Sequence, residues 1–172
     1  MPTLEVLLST EAIAERTAAI ARQIQQDYGD EPLLLLGVLK GSFLFLADLA
    51  KLLPGDVSVD FVQVSSYGSG KSSSGVVQIR KDLDVNIEGR NVLIVEDIVD
   101  TGTTLNHLRE LLSTRKPKTL KVVSLLRKPE AQKVLAPVEY VGFDIPNEFV
   151  VGYGLDFNER YRNLPYIALL KD

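Results

Sequence analysis

Apolar residues recur along the chain at two spacings, one typical of helices and the other of strands. The helical spacing occurs in three stretches, residues 11–28, 42–53 and 105–116. The first can be capped by Ser9 or Thr10 and ends before Gly29, and the third aligns Leu105, Leu108 and Leu112. These stretches therefore predict three amphipathic helices.

Alternating or continuous apolar runs lie between and after these helices and predict strands. They are residues 32–39, 57–67, 76–79, 91–95, 119–128 and 138–146. Because strand and helix patterns alternate, the expected fold class is α/β, an open and mostly parallel twisted sheet with helices on both faces. The tail from residue 149 is rich in aromatic residues and does not continue the alternation.

The length and charge of the chain narrow the kind of protein. A chain of 172 residues is expected to form a single domain. The net charge is −4 and no run of Lys or Arg occurs, which argues against nucleic acid or a membrane surface as partners. With neither a run of 18 apolar residues nor a signal-peptide pattern, we expect a cytoplasmic protein.

The stretch VLIVEDIVDTGTTL, residues 92–105, carries the clearest chemistry. A buried strand leads to Glu96, Asp97 and Asp100, and then to a loop formed by Thr101, Gly102, Thr103 and Thr104. Backbone N–H groups and hydroxyls at the start of a helix bind phosphate. A phosphate alone would be repelled by three carboxylates, so the ligand should also offer hydroxyl donors or a cation. A ribose 5-phosphate meets both demands.

Two other interpretations of this stretch are weaker. The acids could simply cap the following helix and favour its positive end, but one acid would be enough for that. A nucleotide P-loop is excluded because no GxxxxGK pattern occurs in the chain.

The same stretch resembles the phosphoribosyl-pyrophosphate (PRPP) motif of type I phosphoribosyltransferases. GVLKGSFLFLADL, VSSYGSGKSSSG, SLLRKP and GFDIPNEFVVGYGLDFNERYRNLP are similar to the hypoxanthine(-guanine) phosphoribosyltransferases, especially bacterial ones, in the same order over residues 6–170. The resemblance implies the type I phosphoribosyltransferase fold, with a small hood formed by terminal segments. It also implies transfer of a 5-phosphoribosyl group from PRPP to N9 of a 6-oxopurine, with Mg²⁺ as cofactor.

The resemblance assigns roles to residues at the expected sheet edge. Asp100 matches the acid/base residue near N7 of the purine, and Lys128 matches the donor to its O6. Phe149 matches the ring that stacks on the base, and the backbone of Val150 matches the group that reads the base edge.

Other residues match the family's contacts to pyrophosphate and to the metal. Leu39, Lys40 and Gly41 match a pyrophosphate-binding loop that contains a non-proline cis peptide bond in the family, and Arg162 matches a further contact. Asp156 matches a Mg²⁺ ligand, with Glu96 and Asp97 as further candidates.

Ser66 and Tyr67 match the start of a catalytic lid that continues to about residue 76. The family usually forms homodimers or homotetramers, so the resemblance also implies self-association.

Three alternatives differ in function. Xanthine-guanine transfer stays open because no residue is identified that reads the purine 2-position. A non-catalytic regulator on the same fold would bind nucleic acid through a basic face, which a net charge of −4 does not favour. A phosphoacceptor receiver would need its acid pair near the start of the chain.

Overall fold

A computed structural model describes residues 2–66 and 77–172. Within these residues the helices are α1 (Thr10–Tyr28), α2 (Phe43–Leu52) and α3 (Thr103–Ser113), with a short 3₁₀ turn at Pro129–Ala131. The strands are β1 (Thr3–Leu8), β2 (Leu33–Leu39), β3 (Val57–Ser66), β4 (Val77–Lys81), β5 (Asn91–Val99), β6 (Thr119–Arg127), β7 (Tyr140–Asp144), β8 (Val150–Val151) and β9 (Ile167–Lys171).

Six strands form the main sheet, in the order β4-β3-β2-β5-β6-β7. All neighbouring pairs are parallel except β3 and β4, which pair antiparallel at one edge. The predicted mostly parallel α/β sheet is therefore confirmed. Since β2, β5 and β6 are parallel neighbours, their carboxyl ends lie at the same edge of the sheet.

Each face of the main sheet carries its own apolar core. One core joins β2 and β5 to α1 and α2, with Ile20, Leu35 and Phe45 among its fully buried members. The other core lies on the opposite face, where residues of the same strands pack against α3, and its members include Leu36, Ile94 and Leu108. The three predicted helices thus exist and bury the predicted faces, and Ser9 caps α1 by accepting a hydrogen bond from the backbone N–H of Ala12.

A second sheet has the order β1-β9-β8, and we call it the hood. It is antiparallel and joins the two chain termini, with Thr3 paired to Lys171 and Val6 to Ala168. The hood agrees with the expectation from the family resemblance. The strand β1 itself is not predicted by the residue pattern, because its partner lies at the far end of the chain.

Strand β5 is longer than the apolar run that predicts it. It continues past Val95 to Val99 and pairs with β6 through Glu96, Ile98 and Val99. Glu96 and Asp97 consequently lie within the strand rather than after it. The usual alternation of faces also breaks here, because Val95 and Ile98 both pack against the core that contains α1 and α2.

Of the residues described, none belongs to a helix with enough length and apolar character to cross a membrane.

Candidate active site

Three parallel strands deliver the candidate residues to one edge of the main sheet. Lys40 follows β2, Asp100 follows β5 and Lys128 follows β6. The backbone N–H of Lys128 donates to the carbonyl of Val99 at 2.9 Å, which holds the ends of β5 and β6 together. The structure therefore brings together the residues that the resemblance assigns to the base, the ribose phosphate and the pyrophosphate.

The loop between β5 and α3 is short and tightly held. Gly102 has φ 85°, a left-handed conformation that favours glycine, and a Cβ there would crowd the carbonyl of Val134. The Thr101 hydroxyl accepts a hydrogen bond from the Thr103 N–H at 3.3 Å, and the Thr101 carbonyl accepts one from the Lys133 N–H at 2.8 Å. The loop thus turns directly into the positive end of α3.

A cavity of about 210 Å³ lies against this loop. Its polar lining comes from one acid within β5, one acid after it and the threonine loop, namely Glu96, Asp100, Thr101, Gly102 and Thr104. Val38, Val64 and Leu105 contribute to its apolar wall. The cavity can accommodate a group that needs hydroxyl and N–H donors on one side and carboxylates on the other.

The adjacent acids of β5 are held in an unfavourable environment for charge. Glu96 is only 7% exposed, and burial raises its pKa well above the ordinary value, with a further increase from the neighbouring Asp97. Burial also raises the pKa of Asp97, although the backbone N–H of Ile98 and the charge of Arg162 oppose that rise. Two such groups do not stabilise the folded chain by themselves, which points to a ligand as the reason for their presence.

Gly41 and Asp97 are in unusually close contact. A Cβ on Gly41 would overlap the Asp97 carboxylate, and a Cβ on Gly154 would overlap the Gly41 carbonyl. The loop after β2, the acid of β5 and the C-terminal segment therefore meet at one point. The Leu39–Lys40 peptide bond in this loop is cis, as the resemblance implies.

Arg162 and Lys40 form a cationic pair around an acidic residue of the C-terminal segment. The Arg162 Nη1 donates to the Gly154 carbonyl at 2.7 Å, and Nη2 lies 3.3 Å from Asp156 and 3.1 Å from Glu159. The Lys40 Nζ lies 3.3 Å from the other oxygen of Glu159. Both cations predicted to bind pyrophosphate thus contact the same carboxylate.

Lys128 is the buried one of the two cations at the end of β6. Its side chain is 9% exposed, and its Nζ lies 3.6 Å from the Asp100 carboxylate. Arg127 instead forms two hydrogen bonds with Asp144, at 2.7 and 3.0 Å. Arg127 is therefore already paired on the outside, and Lys128 is the cation that reaches the Asp100 side.

Phe149 and Val150 lie at the start of β8 in the hood. The Phe149 ring is 52% exposed and meets Phe157 edge-on, with ring centroids 5.8 Å apart, whereas Val150 is buried and pairs with Leu169. An exposed aromatic ring fixed by a neighbouring strand can serve as a stacking platform.

Ser66 is the last residue of β3, and Tyr67 together with the rest of the expected lid to residue 76 lies outside the described residues. Within residues 2–66 and 77–172, no group of three or more His, Cys, Asp or Glu side chains could hold a metal ion unaided. A metal at Asp156, Glu96 or Asp97 would need further ligands from a substrate or water.

Sequence reasoning missed a contact that supports the loop after β2. Tyr153 has φ 49° between two glycines, and its buried hydroxyl donates to Asp48 of α2. Since α2 starts just after Gly41, this hydrogen bond ties the C-terminal segment to the same loop against which Gly154 packs. The two glycines around Tyr153 were the only signal in the sequence. The contact of Glu159 with both cations was missed as well.

Comparison with known proteins identifies the family. The phosphoribosyl transferase domain matches residues 4–158. A hypoxanthine-guanine phosphoribosyltransferase of Dictyostelium discoideum is 54% identical over 98% of this chain and 96% of its own length. One from Mycobacterium avium is 54% identical over 96% of this chain and 84% of its own. A crystal structure of the Bacillus anthracis enzyme of that name superposes with a TM-score of 0.95 at 46% identity, over the whole of both chains.

The chain belongs to the phosphoribosyltransferase family, and its fold is the type I phosphoribosyltransferase fold.

The buried acids give a prediction about stability. Because the folded-state pKa of Glu96 is raised, its contribution to the free energy of unfolding is fully present below the ordinary pKa of 4.5 and is lost as pH rises through the folded-state pKa. Glu96→Gln should therefore raise the free energy of unfolding at about pH 7.5, with a smaller gain at about pH 5.

Urea unfolding of the metal-free protein at both pH values measures this difference. Glu88→Gln is the matched control, since Glu88 is exposed and lies before β5, at the opposite end of that strand. A Glu96→Gln variant that is less stable than the parent at neutral pH would contradict the prediction.

Proposed function

We propose that this protein transfers the 5-phosphoribosyl group of PRPP to N9 of hypoxanthine and guanine and releases pyrophosphate, a reaction of purine salvage. The observation that carries the proposal is the pairing of Asp100 with the buried Lys128 at 3.6 Å, beside the threonine loop and its cavity. The names of the relatives from Dictyostelium discoideum and Mycobacterium avium support the same activity.

The ribose phosphate binds along β5 and the loop that follows it. Thr101 to Thr104 and the start of α3 offer hydroxyl and N–H donors to the 5-phosphate. Glu96 and Asp97 accept hydrogen bonds from the ribose hydroxyls, which offsets the cost of burying these acids. Carboxylates precede the phosphate-binding loop because they contact the ribose and the loop contacts its phosphate.

The pyrophosphate of PRPP binds between Lys40, Gly41 and Arg162. The guanidinium of Arg162 is held by the Gly154 carbonyl, so its planar donors are oriented before the ligand arrives. Gly41 leaves room for the Asp97 carboxylate at its Cα, so the loop after β2 can approach the ribose closely. These contacts orient the leaving group of the reaction.

The purine binds between the end of β6 and the hood. Lys128 donates to O6 of a 6-oxopurine, a contact that the amino group of adenine cannot accept. Phe149 stacks on the ring, and the backbone of Val150 reads its edge. Asp100 is close enough to Lys128 to act on N7, which lies beside O6 on the same edge of the base, as the acid/base group.

Magnesium fits the donors of this site. Asp156, Glu96 and Asp97 offer the carboxylate oxygens that Mg²⁺ prefers, and with fewer than a full set of protein ligands the ion would also use substrate oxygens and water. When bound, the ion would neutralise charge on the pyrophosphate. Burial raises the pKa of Glu96 and Asp97, and a bound cation would offset the cost of charge on these carboxyls, which supports this assignment.

The chain as a whole forms one catalytic unit that assembles with copies of itself. Residues 1–172 act as one domain, with the hood over the main sheet and a lid from Ser66 and Tyr67 to about residue 76 that excludes water during transfer. The enzyme works in the cytoplasm as a homodimer or homotetramer.

The activity itself is tested by nucleotide formation from PRPP with four bases, namely hypoxanthine, guanine, xanthine and adenine, each with and without Mg²⁺. We expect rapid formation of IMP and GMP that requires Mg²⁺, and little product from adenine. Dominant use of xanthine would move the assignment to xanthine-guanine transfer, and no nucleotide from any base would overturn the enzymatic proposal.

Asp100 is the residue expected to matter most for the rate of transfer. Asp100→Asn keeps the size of the side chain but removes the group that exchanges a proton with N7. We expect turnover to fall about 10²- to 10⁴-fold, while the affinity for PRPP changes little. Steady-state kinetics and PRPP titration separate the two effects, and Asp30→Asn in the exposed turn after α1 is the control. Unchanged turnover would remove Asp100 from the acid/base role.

Lys128 is the residue expected to select the base. Lys128→Gln replaces a cationic donor by an amide that can both donate and accept, so the preference for 6-oxopurines over adenine should fall about tenfold or more. The ratio of kcat/KM values for hypoxanthine and adenine measures it. Arg127→Gln is the matched control, because Arg127 is paired with Asp144 on the outside. An equal change in both variants would mean that Lys128 does not read O6.

A further inference from the structure

Glu159 occupies a position between the two cations that the proposed function assigns to pyrophosphate. One carboxylate oxygen lies 3.3 Å from the Lys40 Nζ, and the other lies 3.1 Å from the Arg162 Nη2. Lys40 follows β2, whereas Arg162 and Glu159 belong to the segment between β8 and β9, far away in the chain. The carboxylate therefore bridges two separate parts of the site.

The backbone of a tight turn also holds Glu159 in this position. Phe157 and Arg160 exchange backbone hydrogen bonds at 3.0 Å, and they enclose Asn158 and Glu159 in a tight turn with φ values of 51° and 63°. The Glu159 N–H also donates to the Asp156 carboxylate at 2.9 Å. The turn thus presents the Glu159 side chain towards Lys40 and Arg162.

The ion pairs made by Glu159 are of the kind that exchange readily. Its side chain is 63% exposed and that of Lys40 is 56% exposed, so water screens the contact. An exposed glutamate carboxyl is charged at neutral pH, so Glu159 attracts both cations. A diphosphate carries more negative charge than one carboxylate and can replace it on both cations.

We infer that Glu159 is an internal competitor of pyrophosphate, a carboxylate that occupies Lys40 and Arg162 when the ligand is absent and returns to them when it leaves. The inference rests on the proposed function, in which these two cations bind the pyrophosphate of PRPP. Such a group lowers the apparent affinity for PRPP and for pyrophosphate, since each must displace it. It also assists departure of the product, because the cations regain a partner as pyrophosphate dissociates.

The test is the affinity of Glu159→Gln for pyrophosphate and PRPP in the presence of Mg²⁺. The amide keeps the shape of the side chain and removes its charge. We expect the Kd for pyrophosphate and the KM for PRPP each to fall about three- to tenfold, the scale of one or two exposed ion pairs. Titration calorimetry gives the first value and steady-state kinetics the second. Glu88→Gln, remote from the site, should leave both unchanged.

Two further variants separate this inference from the proposed function. Lys40→Gln and Arg162→Gln should each weaken pyrophosphate binding, and Glu159→Gln should have a smaller effect when added to Lys40→Gln than alone. If neither cation variant changes pyrophosphate affinity, the assignment of the pyrophosphate site fails. If they do but Glu159→Gln leaves the affinity unchanged or weakens it, the competitor role fails alone. Weakening that appears only with Mg²⁺ would mean that Glu159 helps to hold the ion.

Discussion

The parallel pairing of β2, β5 and β6 is the constraint on which the site depends. Because these strands are neighbours and run in one direction, the residues that follow them must lie at one edge of the sheet. A cation after β2, an acid after β5 and a cation after β6 therefore come together although the chain separates them widely. The hydrogen bond from the backbone N–H of Lys128 to the carbonyl of Val99 holds the ends of β5 and β6 together.

Strand β5 contributes both to the two apolar cores and to the candidate site within its nine residues. Its first half, up to Val95, alternates between the two cores, as a buried strand must. Its second half carries the buried Glu96 and the half-buried Asp97, and burial raises the pKa of both carboxyls. The two acids therefore lower the stability of the folded chain relative to an apolar pair, a loss that agrees with the ligand-binding role proposed for them. A ligand with hydroxyl groups or a cation recovers part of that loss.

Local patterns were sufficient to predict the order of the main elements, the buried faces of α1 and α3, and the loop at Thr101 to Thr104. They were insufficient where a feature depends on distant residues. Strand β1 becomes a strand by pairing with β9, and the short apolar segment at Thr3–Leu8 gives no independent sign of it. The extension of β5 through Glu96 was missed because two acids end the apolar run, while the pairing with β6 continues. The resemblance to the family, rather than the pattern, anticipated the hood and the cis peptide bond between Leu39 and Lys40.

The candidate site follows the charge distribution of the ligand proposed for it. Carboxylates lie on β5, where a sugar would present hydroxyl donors, and cations follow the strands on either side of it, where a diphosphate and a purine oxygen would present acceptors. Each of these cations contacts an acid of the protein: Lys128 contacts Asp100, and both Lys40 and Arg162 contact Glu159. These internal pairs compensate the charges of the site, and their exposed partners are weakly enough held that a phosphate or a base could replace them. An acidic protein can thus bind a highly anionic substrate, because its few local cations are positioned in advance and only loosely neutralised.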